Sequence, residues 1–293
     1  MKMQLSLAAL ALAGLPLAAY AQVVDGTRAG DPYGAPWAVQ TVQTGFGDNE
    51  SELNAAYATI SGGRLYLMLT GNIQNNFNKL EIFIDSKAGG QGVFDSSGND
   101  NAGNMDGLVF DAGFTADYHL IARRGDSKFD LDFANLGAQS ASGYFDVFGG
   151  TDFGAGTTGT GVNGQPIGVA YNGSNTAGVT GGDQAADQTA AAAVETGLEL
   201  SIDLADLGYV GGNINIMVGQ NNQDHNYWSN QFLGGLAAPQ GNLGGDGNGG
   251  FTGEGAIDFT QFAGNQYFTI VVPEPASLGL LGVAGLTLLR RRR

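Results

Sequence analysis

The sequence predicts an all-β fold, an antiparallel β-sandwich of jelly-roll type, and three observations carry that expectation. Apolar and polar residues alternate with period two in about ten short segments, turn residues separate those segments, and no helices alternate with them. Glycine accounts for 50 of 293 residues, more than twice the roughly 7% of average proteins. With only 7 prolines, the chain stays below the roughly 25–30% Gly plus Pro of low-complexity sequence, so the glycines belong to tight turns and long loops of a folded body. No repeat with a period of about 20–50 residues is present, which argues against a solenoid or propeller.

Taken in order, the chain opens with Lys2, an apolar run from Leu5 to Ala19 interrupted by Pro16, and the small residues Ala19 and Ala21 in an Ala-Tyr-Ala site. Residues 1–21 are expected to be a secretory signal peptide cleaved before Gln22. Ala55 to Ile60 and Arg64 to Thr70, joined by Ser61-Gly62-Gly63, predict a hairpin with Leu65, Leu67 and Leu69 on one face. Lys79 to Asp85 alternates with both faces largely apolar apart from the ends, as a strand inside a sandwich does. Ser86 to Gly107 is expected to be a long polar loop, and Tyr118 to Arg123 resumes as a strand. Phe129, Leu131 and Phe133 point one way, with Asp130 and Asp132 expected to face water.

Tyr144 to Phe148 and Ile167 to Tyr171 predict further strands, flanking a Gly/Thr-rich loop from Gly149 to Gly164. Ala185 to Val194 is the one helical segment of the body, on alanine propensity alone. Leu198 to Leu204 and Asn213 to Gly219 alternate again. A glycine-rich connection, Gly234 to Gly255, precedes a last strand from Tyr267 to Val272. The expected organisation is therefore a signal peptide over 1–21, one β-sandwich ectodomain over 22–272, and a tail over 273–293.

Charge limits the partners. The 12 basic residues less five (Lys2 and four terminal arginines), against 28 acidic residues less Glu274, leave the ectodomain near −20. Such a field repels nucleic acid and anionic lipid. Cysteine is absent, which excludes disulfides, thiolate nucleophiles and cysteine-ligated metals. Serine-hydrolase, zinc-protease and phosphate-loop motifs are missing as well. Two histidines remain: His119, in a strand pattern, is expected to be structural, and His225, among Asn221, Asn222, Asp224, Asn226 and Tyr227, is expected in a polar turn. The sequence predicts no catalytic residues and no cofactor, although spacing leaves a carboxylate pair for glycoside cleavage open.

Two binding chemistries fit particular residues. Asp95, Asp100 and Asp106 crowd one loop and are candidate ligands for a structural calcium ion, although their spacing does not match an EF-hand. Trp228, Tyr227 and Trp37 are candidate aromatic platforms for a polysaccharide, whose sugar rings have apolar faces and hydroxyl rims.

Val272-Pro273-Glu274-Pro275, the charge-free stretch Ala276 to Leu289, and the cluster Arg290, Arg291, Arg292 and Arg293 together resemble the PEP-CTERM sorting signal of exopolysaccharide-producing Gram-negative bacteria. The 14 residues of the stretch would make a helix of about 21 Å, shorter than the roughly 30 Å hydrocarbon layer, so the tail is expected to be a transient transmembrane handle with its arginines cytoplasmic. The resemblance implies an exosortase, an integral membrane enzyme, that recognises the proline motif and removes the tail. It also implies export by way of the inner membrane to the cell surface or extracellular matrix. The body is similar, over short stretches, to DOMON-type and family-9 carbohydrate-binding sandwiches: Val24-Asp25-Gly26, Leu65-Tyr66-Leu67, Phe83-Ile84-Asp85, Glu199-Leu200-Ser201-Ile202 and Asp206-Leu207-Gly208 carry that likeness. The expectation is an exported, non-enzymatic surface or matrix protein. A carbohydrate-binding module, a calcium-dependent adhesin and a glycoside-active enzyme stand as alternatives.

Overall fold

A computed structural model describes residues 22–96 and 98–272. Residues 1–21, where a signal peptide is expected, and the tail from Pro273 onward, including Pro273-Glu274-Pro275 and the arginines, lie outside the described residues. Two antiparallel sheets face one another. The first contains β1 (Ala38–Val39), β2 (Glu52–Ser61), β3 (Arg64–Asn72), β8 (Phe153–Thr157), β9 (Gly168–Asn172) and β10 (Gly197–Asp203), in the order β1-β2-β3-β10-β9-β8. The second contains β4 (Lys79–Asp85), β5 (Tyr118–Gly125), β6 (Lys128–Asn135), β7 (Ser140–Tyr144), β11 (Ile214–Asn221) and β12 (Trp228–Leu233), in the order β12-β11-β4-β5-β6-β7. A final strand, β13 (Tyr267–Ile270), pairs with the first half of β11.

Alternation places one set of side chains from every central strand between the sheets. Leu65, Leu67 and Leu69 from β3, Ile82 and Ile84 from β4, Phe129, Leu131 and Phe133 from β6, and Leu198, Leu200 and Ile202 from β10 form one buried core. Its burial is the dominant stabilising contribution, at about 1.5–3 kcal/mol for each fully buried large side chain. The predicted hairpin is the β2–β3 pair, in register from Ala55↔Thr70 to Ser61↔Arg64, with a bulge between Leu53 and Ala55. The expected helix is α1 (Gln188–Ala193), started by Asp187, whose Oδ1 accepts from the Thr189 and Ala190 amides at 2.9 and 3.1 Å.

The outer faces differ from the sequence expectation because the second sheet's is covered and the first sheet's partly so. The N-terminal segment lies on the first sheet, where Tyr33, Ala55, Tyr57 and Met68 cluster. Glu199 there accepts from the Gln22 side chain, the Tyr33 hydroxyl and the amides of Asp25 and Gly26. Segments 86–117 and 234–266 form a coat over the second sheet, with Phe94, Met105, Phe110, Leu243 and Phe259 packed on Phe83, Trp228 and Phe232. The stretch Ser86 to Gly107 is therefore more than a polar loop. Phe94, Ala102 and Met105 are buried anchors in it, and it carries a 3-10 turn over Asn99–Met105.

Under this coat Asp130 and Asp132 do not face water. They are buried beside Arg123, with which both pair. β8 and β12 arise from segments without a clean alternating pattern. β8 is Phe-Gly-Ala-Gly-Thr, and its glycines are required: a Cβ at Gly156 would sit 2.4 Å from the Val147 carbonyl oxygen. β12 is buried on both faces although Ser229, Asn230 and Gln231 are polar, so no alternation of polar and apolar residues marks it.

Candidate functional site

The outward side chains of β4 begin the site. Because Leu80, Ile82 and Ile84 enter the inter-sheet core, Lys79, Glu81 and Phe83 must point into the coat. Glu81 is fully buried and meets both histidines of the chain: His119 Nε2 lies 2.7 Å from Oε2, and His225 Nδ1 lies 2.8 Å from Oε1. His119, on β5, stacks on Phe83 with ring centres 4.3 Å apart and planes 5° apart. His225 comes from the β11–β12 turn and is itself buried, with a left-handed φ of 49°. Its Nε2 lies 2.7 Å from Lys79 Nζ and 2.8 Å from the Asp100 carbonyl oxygen.

Asp100 brings the coat into the same cluster. Its Oδ2 lies 2.8 Å from Lys79 Nζ and 3.1 Å from Arg123 Nη1. Asn221 Nδ2 bridges two buried carboxyls, Glu81 Oε1 at 3.3 Å and Glu254 Oε2 at 2.9 Å. The result is a largely buried ion cluster, open only at Asp100, that ties the 3-10 segment and the β11–β12 turn to the sheet. Burial penalises the charge on Glu81, but His225 and His119 outweigh it and hold the carboxyl below the usual range. Burial likewise opposes a charge on His225, and Glu81 and Asp100 overcome it, pushing His225 up to about 9. Asp100 is lowered because His225, Lys79 and Arg123 outweigh its desolvation. Glu254 moves the other way: burial, then repulsion from Glu81, pushes its carboxyl well above its ordinary value beside Asn221.

The candidates picked out by sequence are dispersed by the structure. Trp228 is 0% exposed and packs on Phe232 and Phe259, with ring centres 5.2 and 6.4 Å away. The expectation of an exposed sugar platform at Trp228 is therefore corrected; β12 turns that ring into the coat. Trp37 is part-exposed on the first sheet, its Nε1 donating to the Ala58 carbonyl at 3.0 Å. Tyr227 does reach the surface, within a stack that sequence did not reveal. Its ring lies between Phe46, 5.9 Å away with planes 16° apart, and Phe251, 4.2 Å away with planes 27° apart.

Asp95, Asp100 and Asp106 do not converge as a calcium site would require. Asp100 is taken up by two cations, Asp106 Oδ1 accepts from the Ser96 amide at 2.7 Å, and Asp95 engages Gln91 through its backbone. Among the described residues, the acidic group close enough to share an ion is Asp25, Asp31 and Glu199. The Glu199 oxygens there already accept four protein donors. An open groove of about 640 Å³ lies nearby, over Tyr66, Arg64, Ser201 and the small residues of β8 and β9.

Sequence reasoning missed Lys79, Glu81 and Glu254, and the surface rings Phe46 and Phe251. The available signal for the first two was a pair of charges inside a strand otherwise patterned as buried on both faces. The two rings carried no signal beyond being isolated aromatics in glycine-rich loops.

These features define a two-sheet antiparallel β-sandwich whose two imidazoles are buried in a structural ion cluster and whose loops carry a ring stack with Phe251 exposed at its end. The chain carries the PEP-CTERM protein-sorting motif, matched by a family model over residues 271–293. That motif marks an exosortase-sorted extracellular protein, exported through a membrane-anchored stage with an exosortase as processing partner. Among the described residues no helix is long and apolar enough to cross a membrane. Neither a curated protein nor a solved structure matches the chain.

Proposed function

We propose that the protein is a non-enzymatic component of the cell surface or extracellular matrix, acting through what its ectodomain binds. The observation that carries this reading is the commitment of its acid-base groups. His119 and His225 are buried and both face Glu81, and Glu254 is closed in beside Asn221. A general acid or base must reach substrate, and these groups serve instead to hold the coat on the sheet. Polysaccharide is the partner class that suits the exposed rings, whereas the separated aspartates give the calcium-adhesin reading no support.

Deleting Pro273 to Arg293 tests the sorting half of the proposal. The expected result is retention of the chain in a pre-sorting fraction, with loss from the surface or medium; unchanged display would overturn it. Incubating the full chain with a panel of polysaccharides and aryl glycosides tests the other half. Turnover above that of a mock preparation would remove the non-enzymatic reading.

A further inference from the structure

We propose that β8 is a self-assembly edge, at which two copies of the chain join by antiparallel β8–β8 pairing into one continuous sheet. The inference goes beyond the surface-protein reading and does not depend on what the ectodomain binds. β8 (Phe153–Thr157) ends the first sheet and, among the described residues, pairs with β9 alone. Thr158 N donates to the Ile167 carbonyl at 2.9 Å and Gly173 N to the Asp152 carbonyl at 2.8 Å, so the even-numbered residues of this strand turn their backbone groups toward β9. The N–H and C=O groups of Phe153, Ala155 and Thr157 therefore point outward, and they make no hydrogen bond to the described residues. Such an open row of donors and acceptors is a template for another strand.

The other sheet ends are blunted. β1 is two residues long, Gly244 bridges to Trp228 beyond β12, and the 158–164 loop lies against β7, where Val162 N donates to Ser142 Oγ at 3.0 Å. β8 carries none of the usual protections, which are charge, proline, a bulge or a cover. Its register with β9 runs without a bulge from Phe153↔Asn172 to Thr157↔Gly168. It contains no proline, and residues 153–182 hold no charged side chain although 14% of the chain is charged. Asp152, just before it, is paired with Arg124. Gly154 and Gly156 turn inward, where Phe148 and the Val147 carbonyl fill the space a Cβ would need, so that segment lies under the strand rather than across its edge. On the opposite face Phe153 is 69% exposed.

A second copy is the occupant that this edge fits. An antiparallel pair centred on Ala155 sets Ala155 opposite Ala155 and Phe153 opposite Thr157 about a two-fold axis, and every outward N–H and C=O of both strands then finds a partner. Each copy is strongly acidic, at a net −16, so like-charge repulsion opposes approach over most of the surface and is least along this uncharged edge. The exposed Phe153 ring gains Thr157 of the other copy as a cross-strand neighbour. Five residues a side fall short of the roughly 1,200–2,000 Å² of a standard interface, so the pairing is concentration-dependent and favoured where copies are crowded together.

The test is sedimentation equilibrium of the full chain in mild detergent, from low micromolar to near-millimolar concentration. The expected result is an apparent protein mass that climbs from one chain toward two. Ala155→Glu, which sets two carboxylates opposite each other, should weaken the association at least about tenfold. Ala155→Pro removes the central outward N–H without touching a β9 bond and should act in the same direction. Ala155 is exposed, so Ala155→Glu should melt with the wild type. The tail is common to every variant, so association driven by it would be indifferent to both substitutions. Because the chain has no cysteine, single-cysteine variants read the register: a short bismaleimide should couple Ala155→Cys into dimers well above a Val210→Cys control, at a 94% exposed position between β10 and β11. A wild type that stays monomeric throughout, self-association indifferent to both Ala155→Glu and Ala155→Pro, or coupling at position 155 no greater than at position 210 would each overturn the proposal.

Discussion

Glu81→Gln is the sharpest probe of the buried cluster, because it keeps the shape of the side chain and removes the charge that both histidines face. The size of the effect follows from His225. Its pKa rises from 6.5 to about 9 in the fold, and at about 1.4 kcal/mol per unit this corresponds to a few kcal/mol of stabilisation. That figure agrees with the roughly 3–5 kcal/mol lost when one partner of a buried ion pair is removed. A raised pKa stabilises most below the unfolded value, so the contribution is complete below about pH 6.5 and disappears as pH climbs through 9. Lys79, whose Nζ lies 2.7 Å from His225 Nε2, also faces the ring. Asp100 and Glu254 complete the titratable surroundings of His225.

Thermal melts of wild type and Glu81→Gln at pH 6 and at pH 9.5 read both effects. At pH 6 the variant should melt on the order of 10 °C lower, at about 2–4 °C per kcal/mol for a domain of this size. Wild type should lose stability between the two pH values, and the variant should lose much less. A variant within about 2 °C of wild type at pH 6, or one with an unchanged alkaline limb, would refute the claim that Glu81 holds the cluster together. On the acid side the sign reverses. The lowered carboxyl of Glu81 stabilises fully above about pH 4.5, and that share is lost as pH falls through its folded value.

Two further outcomes check other parts of the structure. Trp228→Ala should cost about 3–5 kcal/mol in urea unfolding, as removal of a fully buried ring does; a cost below about 1 kcal/mol would place Trp228 on the surface, contrary to its packing on Phe232 and Phe259. Addition of EDTA should leave the melting temperature unchanged, since Asp100 and Asp106 are engaged by protein partners; a fall on chelation would show a bound ion linked to folding.

Much of the architecture was legible in the chain. Period-two patterns at Leu65–Leu69, Ile82–Ile84, Phe129–Phe133 and Leu198–Ile202 mark strands with one face in a shared core, because alternation is a local consequence of strand geometry. The same rule failed for β8, whose glycines leave no pattern to read, and for β12, which is buried on both faces. It also misassigned Asp130 and Asp132 to solvent. Alternation says which residues share a face, but what covers that face depends on segments far away in sequence.

The sequence by itself determined the strand-rich class, the absence of cysteine chemistry and the sorting motif at residues 271–293, since each depends on residues close together along the chain. Tertiary structure alone decided that two histidines 106 positions apart converge on Glu81, that Trp228 is buried while its neighbour Tyr227 is presented, and that Phe46 and Phe251 flank Tyr227. Those facts arise from long-range packing of the coat on the second sheet. No local periodicity specifies which distant loops that packing brings together.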